Sequence, residues 1–222
     1  MRTLVTGANR GIGLALCQLL KGEGHEVIAA CRASSPELDR LGVEVITEFD
    51  QCSPERIAAL ADRVGATGLD VLINCAGVLA RQTLGHIDAE AVQQIRQQFD
   101  TNAIGPLLVT QALLPVLQEG SKVAIVTSRM GSMGDNTSGG SYGYRMSKAA
   151  VNAAGVSLAH DLKPSGVAVA IIHPGYVRTG MTAGNGLMDP PESAAGIWDR
   201  IAGLDLSNTG TFWHINGEVL PW

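Results

Sequence analysis

Short apolar segments alternate with longer, more polar segments along most of the chain. The apolar segments predict seven β-strands, and several are near-continuous runs of Val, Ile, Leu and Ala without polar alternation. Such runs are typical of a parallel sheet that is covered on both faces. The predicted strands are RTLVT (2–6), EVIAAC (26–31), VEVIT (43–47), LDVLINCAG (69–77), KVAIVTS (122–128), VAVAIIHPG (167–175) and GTFWHI (210–215).

The segments between these strands are rich in Ala, Leu and Gln and often end at Gly or Pro, which predicts helices. The predicted helices cover residues 11–22, 54–64, 88–101, 104–118 and 142–163. This alternation predicts an α/β, doubly wound Rossmann fold in a single domain over 1–222, because right-handed crossovers place helices on both faces of a parallel sheet.

One longer irregular segment, 178–191, is rich in Gly, Met and Pro and follows a predicted strand. Ligands of open α/β sheets bind beyond the carboxyl ends of the strands. We therefore expect a short substrate-loop segment at about 178–200, which moves as a flap. The alternative is an ordinary surface loop.

The composition of the chain argues against some classes of binding partner. The chain has 222 residues, of which 45% are hydrophobic, and its net charge of −5 comes from scattered charges without a run of one sign. This argues against a nucleic acid or an anionic membrane as a partner. No apolar run approaches the roughly 18 residues of a membrane-spanning helix. We expect a protein of the cytoplasm.

The four cysteines are Cys17, Cys31, Cys52 and Cys75. They are too widely separated for a metal-ligand motif, and none has a histidine three to five residues away. We therefore predict no metal site. We interpret the cysteines as reduced and structural, which fits a reducing cytoplasm.

A glycine-rich segment, TGANRGIG (6–13), joins the first predicted strand to the first helix. Its glycines, Gly7, Gly11 and Gly13, permit positive φ and a close approach of the backbone to a ligand. The helix N-terminus then offers free N–H groups to a pyrophosphate. A nucleoside triphosphatase is not expected, since Leu14 stands where a P-loop needs Lys.

The segment after the second predicted strand bears on the choice between NAD and NADP. NAD-binding folds usually have an acidic residue there, but this chain has Cys31, Arg32 and Ala33. Arg32 and Arg10 are candidates to clamp the 2′-phosphate of NADP, because guanidinium groups pair with phosphate oxygens. The alternative is that both are solvated surface charges. We favour NADP(H) over NAD(H).

The segment GGSYGYRMSKAA (139–150) carries two tyrosines and a lysine. At about 100° per residue, Tyr144 and Lys148 share a helix face, whereas Tyr142 and Lys148 do not. Lowering a phenol pKa from near 10 by about three units takes roughly 4 kcal/mol. One cation about 4 Å away supplies that order of energy at an effective dielectric near 20. The spacing therefore predicts a proton-transferring pair of Tyr144 and Lys148.

Together these motifs resemble the classical short-chain dehydrogenases/reductases, and the resemblance covers nearly the whole chain. It rests on TGANRGIG, on NCAG (74–77), on Asn102 in FDTNAIGP, on Ser128 in IVTS, on YRMSK (144–148) and on HPGYVRT (173–179). The ending GTFWHINGEVLPW is most similar to the C-factor-type proteins and small carbonyl reductases of that family.

The resemblance implies a catalytic tetrad of Asn102, Ser128, Tyr144 and Lys148. Tyr144 exchanges a proton with the substrate oxygen, and Ser128 hydrogen-bonds that oxygen. Lys148 lowers the pKa of the tyrosine and binds the nicotinamide ribose, while Asn102 holds a water that relays protons. Ser132 is a rival to Ser128, because the interval from Ser128 to Tyr144 is longer than usual for the family.

The resemblance also implies a set of cofactor contacts along the chain. Asp50 is expected to meet the adenine, and Cys75 occupies a position where the family usually has Asn or Ala. The implied cofactor-binding residues are Gly7, Asn9, Arg10, Gly11, Ile12, Gly13, Arg32, Asp50, Asn74, Ala76, Gly77, Tyr144, Lys148, Pro174, Gly175, Val177 and Thr179.

The expected function is that of an NADP(H)-dependent oxidoreductase, which moves hydride between the nicotinamide and a small carbonyl or secondary alcohol substrate. The alternative is a dinucleotide-binding signalling or regulatory protein of the C-factor type with little turnover. The resemblance further implies a homodimer or homotetramer built on the helices at 104–118 and 142–163.

Overall fold

Seven parallel strands form one central sheet, in the order β3-β2-β1-β4-β5-β6-β7. The computed structural model describes all residues from 1 to 222. β1 pairs with β2 on one side and with β4 on the other, so the order reverses there. The strands are β1 (Arg2–Thr6), β2 (Glu26–Ala30), β3 (Glu44–Ile46), β4 (Leu69–Asn74), β5 (Leu117–Val126), β6 (Ala168–His173) and β7 (Phe212–His214).

Seven α-helices connect the strands, and a π-helical turn, Asp100–Ile104, joins two of them. None of the helices combines the length and the apolar character that crossing a membrane requires. The helices are α1 (Gly11–Gly22), α2 (Pro36–Asp39), α3 (Pro54–Val64), α4 (Ala89–Phe99), α5 (Gly105–Leu113), α6 (Tyr142–Leu162) and α7 (Pro190–Ala202).

Two hydrophobic cores of similar size lie on opposite faces of the sheet, with 23 and 22 buried residues. One contains Leu16 of α1 and Ile197 of α7, and the other contains Leu60 of α3 and Val151 of α6. Successive strand residues belong to opposite cores, because side chains alternate across a sheet. The near-continuous apolar strands thus arise from burial on both faces, and the predicted doubly wound fold is confirmed.

Two predicted boundaries differ from the structure by five residues, more than the others. The predicted helix 104–118 ends as α5 at Leu113, and β5 begins at Leu117 instead of residue 122. Pro115 lies between them in a 3₁₀ turn and cannot continue an α-helix. The early part of β5 is held by the hydroxyl of Ser121, which donates to the carbonyl of Leu69 at 2.7 Å. That contact is long-range, which explains why local pattern did not predict it.

Helices α2 and α7 were not predicted from the sequence. The expected loop segment at about 178–200 is irregular only as far as Asp189, because α7 follows it. The paired Pro190 and Pro191 resemble a loop in composition, but proline is favoured in the first helical turn. Ser193 then fixes this turn, since its hydroxyl donates to the carbonyl of Pro174 at 2.7 Å.

Candidate active site

A cavity of about 1170 Å³ lies beyond the carboxyl ends of the strands, on either side of the point where strand order reverses. This is where open α/β sheets bind ligands. The structure brings most of the predicted site residues to its wall. Those lining it are Gly7, Asn9, Arg10, Gly11, Ile12, Gly13, Arg32, Asp50, Ala76, Gly77, Tyr144, Lys148, Pro174 and Thr179.

The glycine turn leaves no room for side chains. A Cβ on Gly13 would lie 2.3 Å from the carbonyl oxygen of Gly7, and a Cβ on Gly7 would lie 2.7 Å from the Cα of Ala76. Gly7 and Gly11 have φ of 69° and 57°, which favours glycine. Arg10 precedes α1 without a side-chain cap, so the first N–H groups of α1 face the cavity uncapped. This cradle fits a dinucleotide pyrophosphate.

The two candidate phosphate-binding arginines lie at the same end of the cavity as the glycine turn. Arg10 and Arg32 are exposed, line the cavity and take part in none of the ion pairs of the structure. Asn9 joins the glycine turn to the end of β2, because its amide donates to the carbonyl of Ala33 at 2.9 Å. Asp50 accepts the backbone N–H of Cys52 at 2.9 Å and borders the same end.

Tyr144 and Lys148 occupy the first two turns of α6 and share a face, as their spacing predicts. The Nζ atom of Lys148 lies 5.8 Å from the centre of the Tyr144 ring. It also donates to the carbonyl of Val126, at the end of β5, at 3.0 Å. Only 5% of Lys148 and 7% of Tyr144 is exposed. The pair therefore sits at the inner wall of the cavity with one direct tie to the sheet.

Burial dominates the ionisation of this pair. It raises the pKa of Tyr144 to about 12, while a hydrogen bond with Ser128 acts in the opposite direction. Burial also lowers the pKa of Lys148 to about 8. Helical spacing alone predicts a lowered tyrosine pKa, which is not found because spacing takes no account of burial. Desolvation disfavours both charged forms and outweighs that attraction.

Ser128 and Ser132 occupy different environments. Ser128 lies close enough to Tyr144 to lower the pKa of its phenol, and its oxygen accepts the N–H of Met130 at 3.1 Å. The hydroxyl of Ser132 donates to the carbonyl of Trp222 at 3.2 Å and accepts the N–H of Asp135 at 3.1 Å. The geometry therefore places Ser128, and not Ser132, beside the tyrosine.

Asn102 lies in the π-helical turn and is 1% exposed. Its Oδ1 accepts the N–H of Val78 at 2.8 Å, and its Nδ2 donates to the carbonyl of Val78 at 2.8 Å and to the Ser147 hydroxyl at 3.0 Å. A Cβ on Gly77 would lie 3.2 Å from Asn102 Oδ1 and 3.7 Å from Lys148 Nζ. Asn102 thus ties the segment after β4 to α6, close to the lysine.

Several predicted residues do not line the cavity. Asn74 is buried at the end of β4, where its Nδ2 donates to the Thr110 hydroxyl at 3.3 Å. Gly175, with φ of 84°, faces the side chain of Met188, and Val177 bridges to the backbone of Met188. These residues lie behind the side chains that line the cavity, as do Asn102 and Ser128.

Sequence reasoning missed Thr6 and the pair Thr127 and Asn152. The Thr6 hydroxyl accepts the N–H groups of Cys75 at 3.0 Å and Ala76 at 3.1 Å, which fixes the segment after β4 against β1. The Thr127 hydroxyl donates to Asn152 Oδ1 at 2.6 Å. The position of Thr6 at a strand end was the only signal in the sequence, and nothing there names its distant partner.

Comparison with known sequences identifies the family. The profile described as short chain dehydrogenase matches residues 2–189. A 1-hydroxy-2-glutathionyl-2-methyl-3-butene dehydrogenase of Rhodococcus sp. is 41% identical over 99% of this chain and 98% of its own length. The C-signal of Myxococcus xanthus is 43% identical over 74% of this chain and 99% of its own length.

Solved structures with the same fold include two carbonyl reductases. The NADPH-bound carbonyl reductase from chicken fatty liver is 29% identical, with a TM-score of 0.90 over 100% of this chain and 98% of its own. The carbonyl reductase Sniffer of D. melanogaster is 28% identical, with a TM-score of 0.92 over 100% of this chain and 99% of its own. The chain therefore belongs to the short-chain dehydrogenase/reductase family of NAD(P)-dependent oxidoreductases.

Proposed function

We propose that this protein is an NADP(H)-dependent oxidoreductase that interconverts a small carbonyl compound and its secondary alcohol. The observation that carries the proposal is the meeting of Tyr144 and Lys148, with Ser128 behind them, at the inner end of a cavity whose other end is the glycine cradle of α1. When bound, the nicotinamide supplies the hydride for carbonyl reduction or accepts it from an alcohol.

Tyr144 and Ser128 act on the substrate oxygen in this proposal. The raised pKa keeps the Tyr144 phenol protonated at neutral pH, so it donates its proton to the oxygen of a carbonyl. Ser128 lies beside the phenol, and its hydroxyl offers the substrate oxygen a second donor. The developing negative charge on the oxygen is thereby held by two preorganised groups in a buried setting.

Lys148 supports the phenol from one helical turn away. Its lowered pKa, about 8, lets it gain or lose a proton near neutral pH, which a lysine in water does not do. Its Nζ lies near Gly77 and the Asn102 amide, which is the side from which a proton must be resupplied. Asn102 hydrogen-bonds the backbone N–H and the carbonyl of Val78, which fixes the chain on this side of the lysine. Its role is therefore to position the groups through which Lys148 regains a proton.

Two observations support NADP(H) over NAD(H). Arg10 and Arg32 stand at the adenosine end of the cavity without carboxylate partners, and guanidinium groups favour a 2′-phosphate there. The chicken carbonyl reductase, which shares the fold over the whole chain, is NADPH-bound.

The substrate is expected to be a small molecule with an apolar body. Met133, Tyr176, Met181 and Leu187 leave 44% to 81% of their surface exposed, in or beside the loops that follow β5 and β6. Methionine-rich surfaces adapt to irregular apolar groups. The name of the Rhodococcus relative describes an alcohol as substrate, whereas the solved neighbours are reductases, so both reaction directions need assay.

The test follows NADPH oxidation with a panel of aldehydes, ketones and diketones, and NADP⁺ reduction with the matching alcohols, beside Tyr144→Phe. We expect turnover by the wild type and a loss of about 10²- to 10⁴-fold in kcat in the variant. Tyr142→Phe is the matched control, because Tyr142 does not share the lysine face. An equally active Tyr144→Phe variant, or NADPH binding without turnover of any compound, contradicts the proposal.

The second candidate is a signalling or regulatory protein that binds the dinucleotide and turns over little. The identity of 43% to the C-signal of Myxococcus xanthus favours it. NADPH binding without turnover across the panel is the result that this candidate predicts. A cytoplasmic location stays a prediction for either candidate.

We also propose a homodimer or homotetramer built on α5 and α6. Ile104, Leu107, Leu114 and Met146 are 39% to 47% exposed on or beside these helices. They support the proposal, because exposed apolar side chains that share a surface mark protein–protein interfaces. Sedimentation of the wild type beside Leu107→Glu tests the proposal, and a monomeric wild type contradicts it.

A further inference from the structure

The helix that carries Tyr144 begins without a cap of its own. Ser141 holds the cap position of α6 but has φ of 48° and ψ of 45°, and its side chain makes no capping hydrogen bond. The first N–H groups of a helix lack partners within it, and leaving them buried and unpaired is costly. Ser141 and Gly143 are both buried, so these N–H groups need a partner from elsewhere in the chain.

Gln82, in the segment between β4 and α4, provides that partner. Its Oε1 accepts the N–H of Gly143 at 3.0 Å, and its backbone carbonyl accepts the N–H of Ser141 at 2.9 Å. Gln82 is 4% exposed although its neighbours on both sides are exposed. Its Nε2 has no hydrogen-bond partner, so the bond that Oε1 accepts from Gly143 is the only hydrogen bond of this buried side chain.

The segment that carries Gln82 is itself anchored to α4. The N–H of Ala80 donates to Gln98 Oε1 at 2.9 Å, and Gln98 is 1% exposed. A Cβ on Gly143 would lie 2.5 Å from Gln98 Nε2 and 2.9 Å from a side-chain carbon of Ile95. The first turn of α6 therefore packs tightly against α4, and Gln82 caps the N-terminal end of α6.

We propose that Gln82 is a positioning residue for Tyr144, acting as the N-terminal cap of α6 from a distant segment. The inference rests on the proposed function, in which Tyr144 is the proton donor. Tyr144 follows the capped Gly143 directly, so the cap sets where the phenol stands relative to Ser128. Displacing a reacting group by about 1 Å can lower a rate about 10²-fold.

Gln82→Met tests the cap, because methionine keeps the length of the side chain and removes the acceptor. We expect kcat to fall about ten- to a hundredfold, while the KM for NADPH stays within about twofold. We also expect faster hydrogen exchange at the amide of Gly143, measured without substrate, whereas Ser141 keeps its bond to the backbone carbonyl of residue 82. Gln94→Met is the matched control, since the Gln94 side chain bonds only Glu90 at 3.4 Å.

Gln82→Glu provides the conservative rescue. It keeps an acceptor for Gly143, and a negative charge is favourable at a helix N-terminus, so slow amide exchange should return. If Gln82→Met does not fold, slow exchange at Gly143 with wild-type kcat in Gln82→Glu supports the cap, and fast exchange in that variant overturns it.

The outcomes separate this inference from the proposed function. Wild-type kcat and wild-type amide exchange in Gln82→Met overturn the cap even when Tyr144→Phe is inactive. Faster exchange with wild-type kcat also overturns it, because the cap would then not position Tyr144. If the wild type turns over nothing, the proposed function fails, and unchanged exchange in Gln82→Met then overturns the cap separately.

Discussion

The two ends of the cavity are built by different means. The adenosine end, at β1, β2 and α1, consists of glycines and backbone atoms, with Arg10 and Arg32 exposed at its edge. The catalytic end consists of buried polar side chains held by residues far away in the chain. Lys148 bonds Val126 and Asn102 bonds Val78, across 22 and 24 residues.

The two ends differ in the kind of substitution that damages them. The adenosine end depends on the absence of side chains, so an added methyl group damages it. The catalytic end depends on desolvated polar groups that each need their partner, so loss of one hydrogen bond damages it. We therefore expect substitutions at the first end to act on cofactor affinity, and those at the second to act on kcat.

The largest expected effect is at the catalytic end. Lys148→Met should lower kcat about 10²- to 10⁴-fold, because the phenol loses its proton source, while NADPH still binds. Steady-state kinetics with a fluorescence titration of NADPH check this. A variant that loses NADPH binding and keeps its kcat would contradict the division into two ends.

Lys148→Met should also change the pH dependence of stability. Folding lowers the pKa of Lys148 from 10.5 to about 8, so the unfolded chain binds more protons between these values. The free energy of unfolding of the wild type should therefore rise with pH across this window, relative to the variant. Urea unfolding of both proteins at pH 7 and pH 10 measures the difference, and parallel curves contradict the shift.

At the adenosine end, the strongest change is Gly13→Ala. Its Cβ would lie 2.3 Å from the Gly7 carbonyl oxygen, so the turn must shift, and we expect about a hundredfold weaker NADPH binding. Gly22→Ala is the matched control within α1, because nothing lies within 4 Å of its Cβ. Isothermal titration with NADPH distinguishes them. Equal affinities for the two variants would show that the turn tolerates side chains.

A smaller effect at the same end concerns cofactor choice. Arg32→Asp should weaken NADPH binding about ten- to a hundredfold, through loss of a charge-assisted hydrogen bond, and leave NADH binding nearly unchanged. Arg40→Asp is the control, since Arg40 is also exposed but does not line the cavity. Equal losses for NADPH and NADH contradict the phosphate clamp.

The smallest expected effect is at Cys75, between the two ends. Burial raises the pKa of its thiol to about 12, so the thiol stays neutral and unreactive at neutral pH. Cys75→Ala should change kcat by no more than about twofold. A larger fall in kcat would show that Cys75 contributes to the reaction.

Sequence predicted the adenosine end more completely than the catalytic end. Gly7, Gly11 and Gly13 stand in one short segment, and their spacing states their physical role. Tyr144 and Lys148 were also predicted by local spacing, because they share one helix. In contrast, Gln82 and its contact with Gly143 span 61 residues, and no local pattern encodes such a pair.

The fold shows the same limit. The strands and their order of appearance followed from apolar runs, because burial on both faces has a local signature. Helix α7 did not, because Pro190 and Pro191 have the composition of a loop and only the tertiary contact of Ser193 fixes their helical turn. The pKa of Tyr144 likewise depends on burial, which the spacing of residues along a helix does not show.

The π-helical turn at Asp100–Ile104 has a consequence for how the chain tolerates changes in length. A π turn accommodates one residue more than an α-helical turn. Deleting one residue there would change this turn and rotate all that follows by about 100° relative to α4. The Asn102 amide would then lose its hydrogen bonds to the backbone N–H and carbonyl of Val78. This segment should therefore accept neither a deletion nor an insertion.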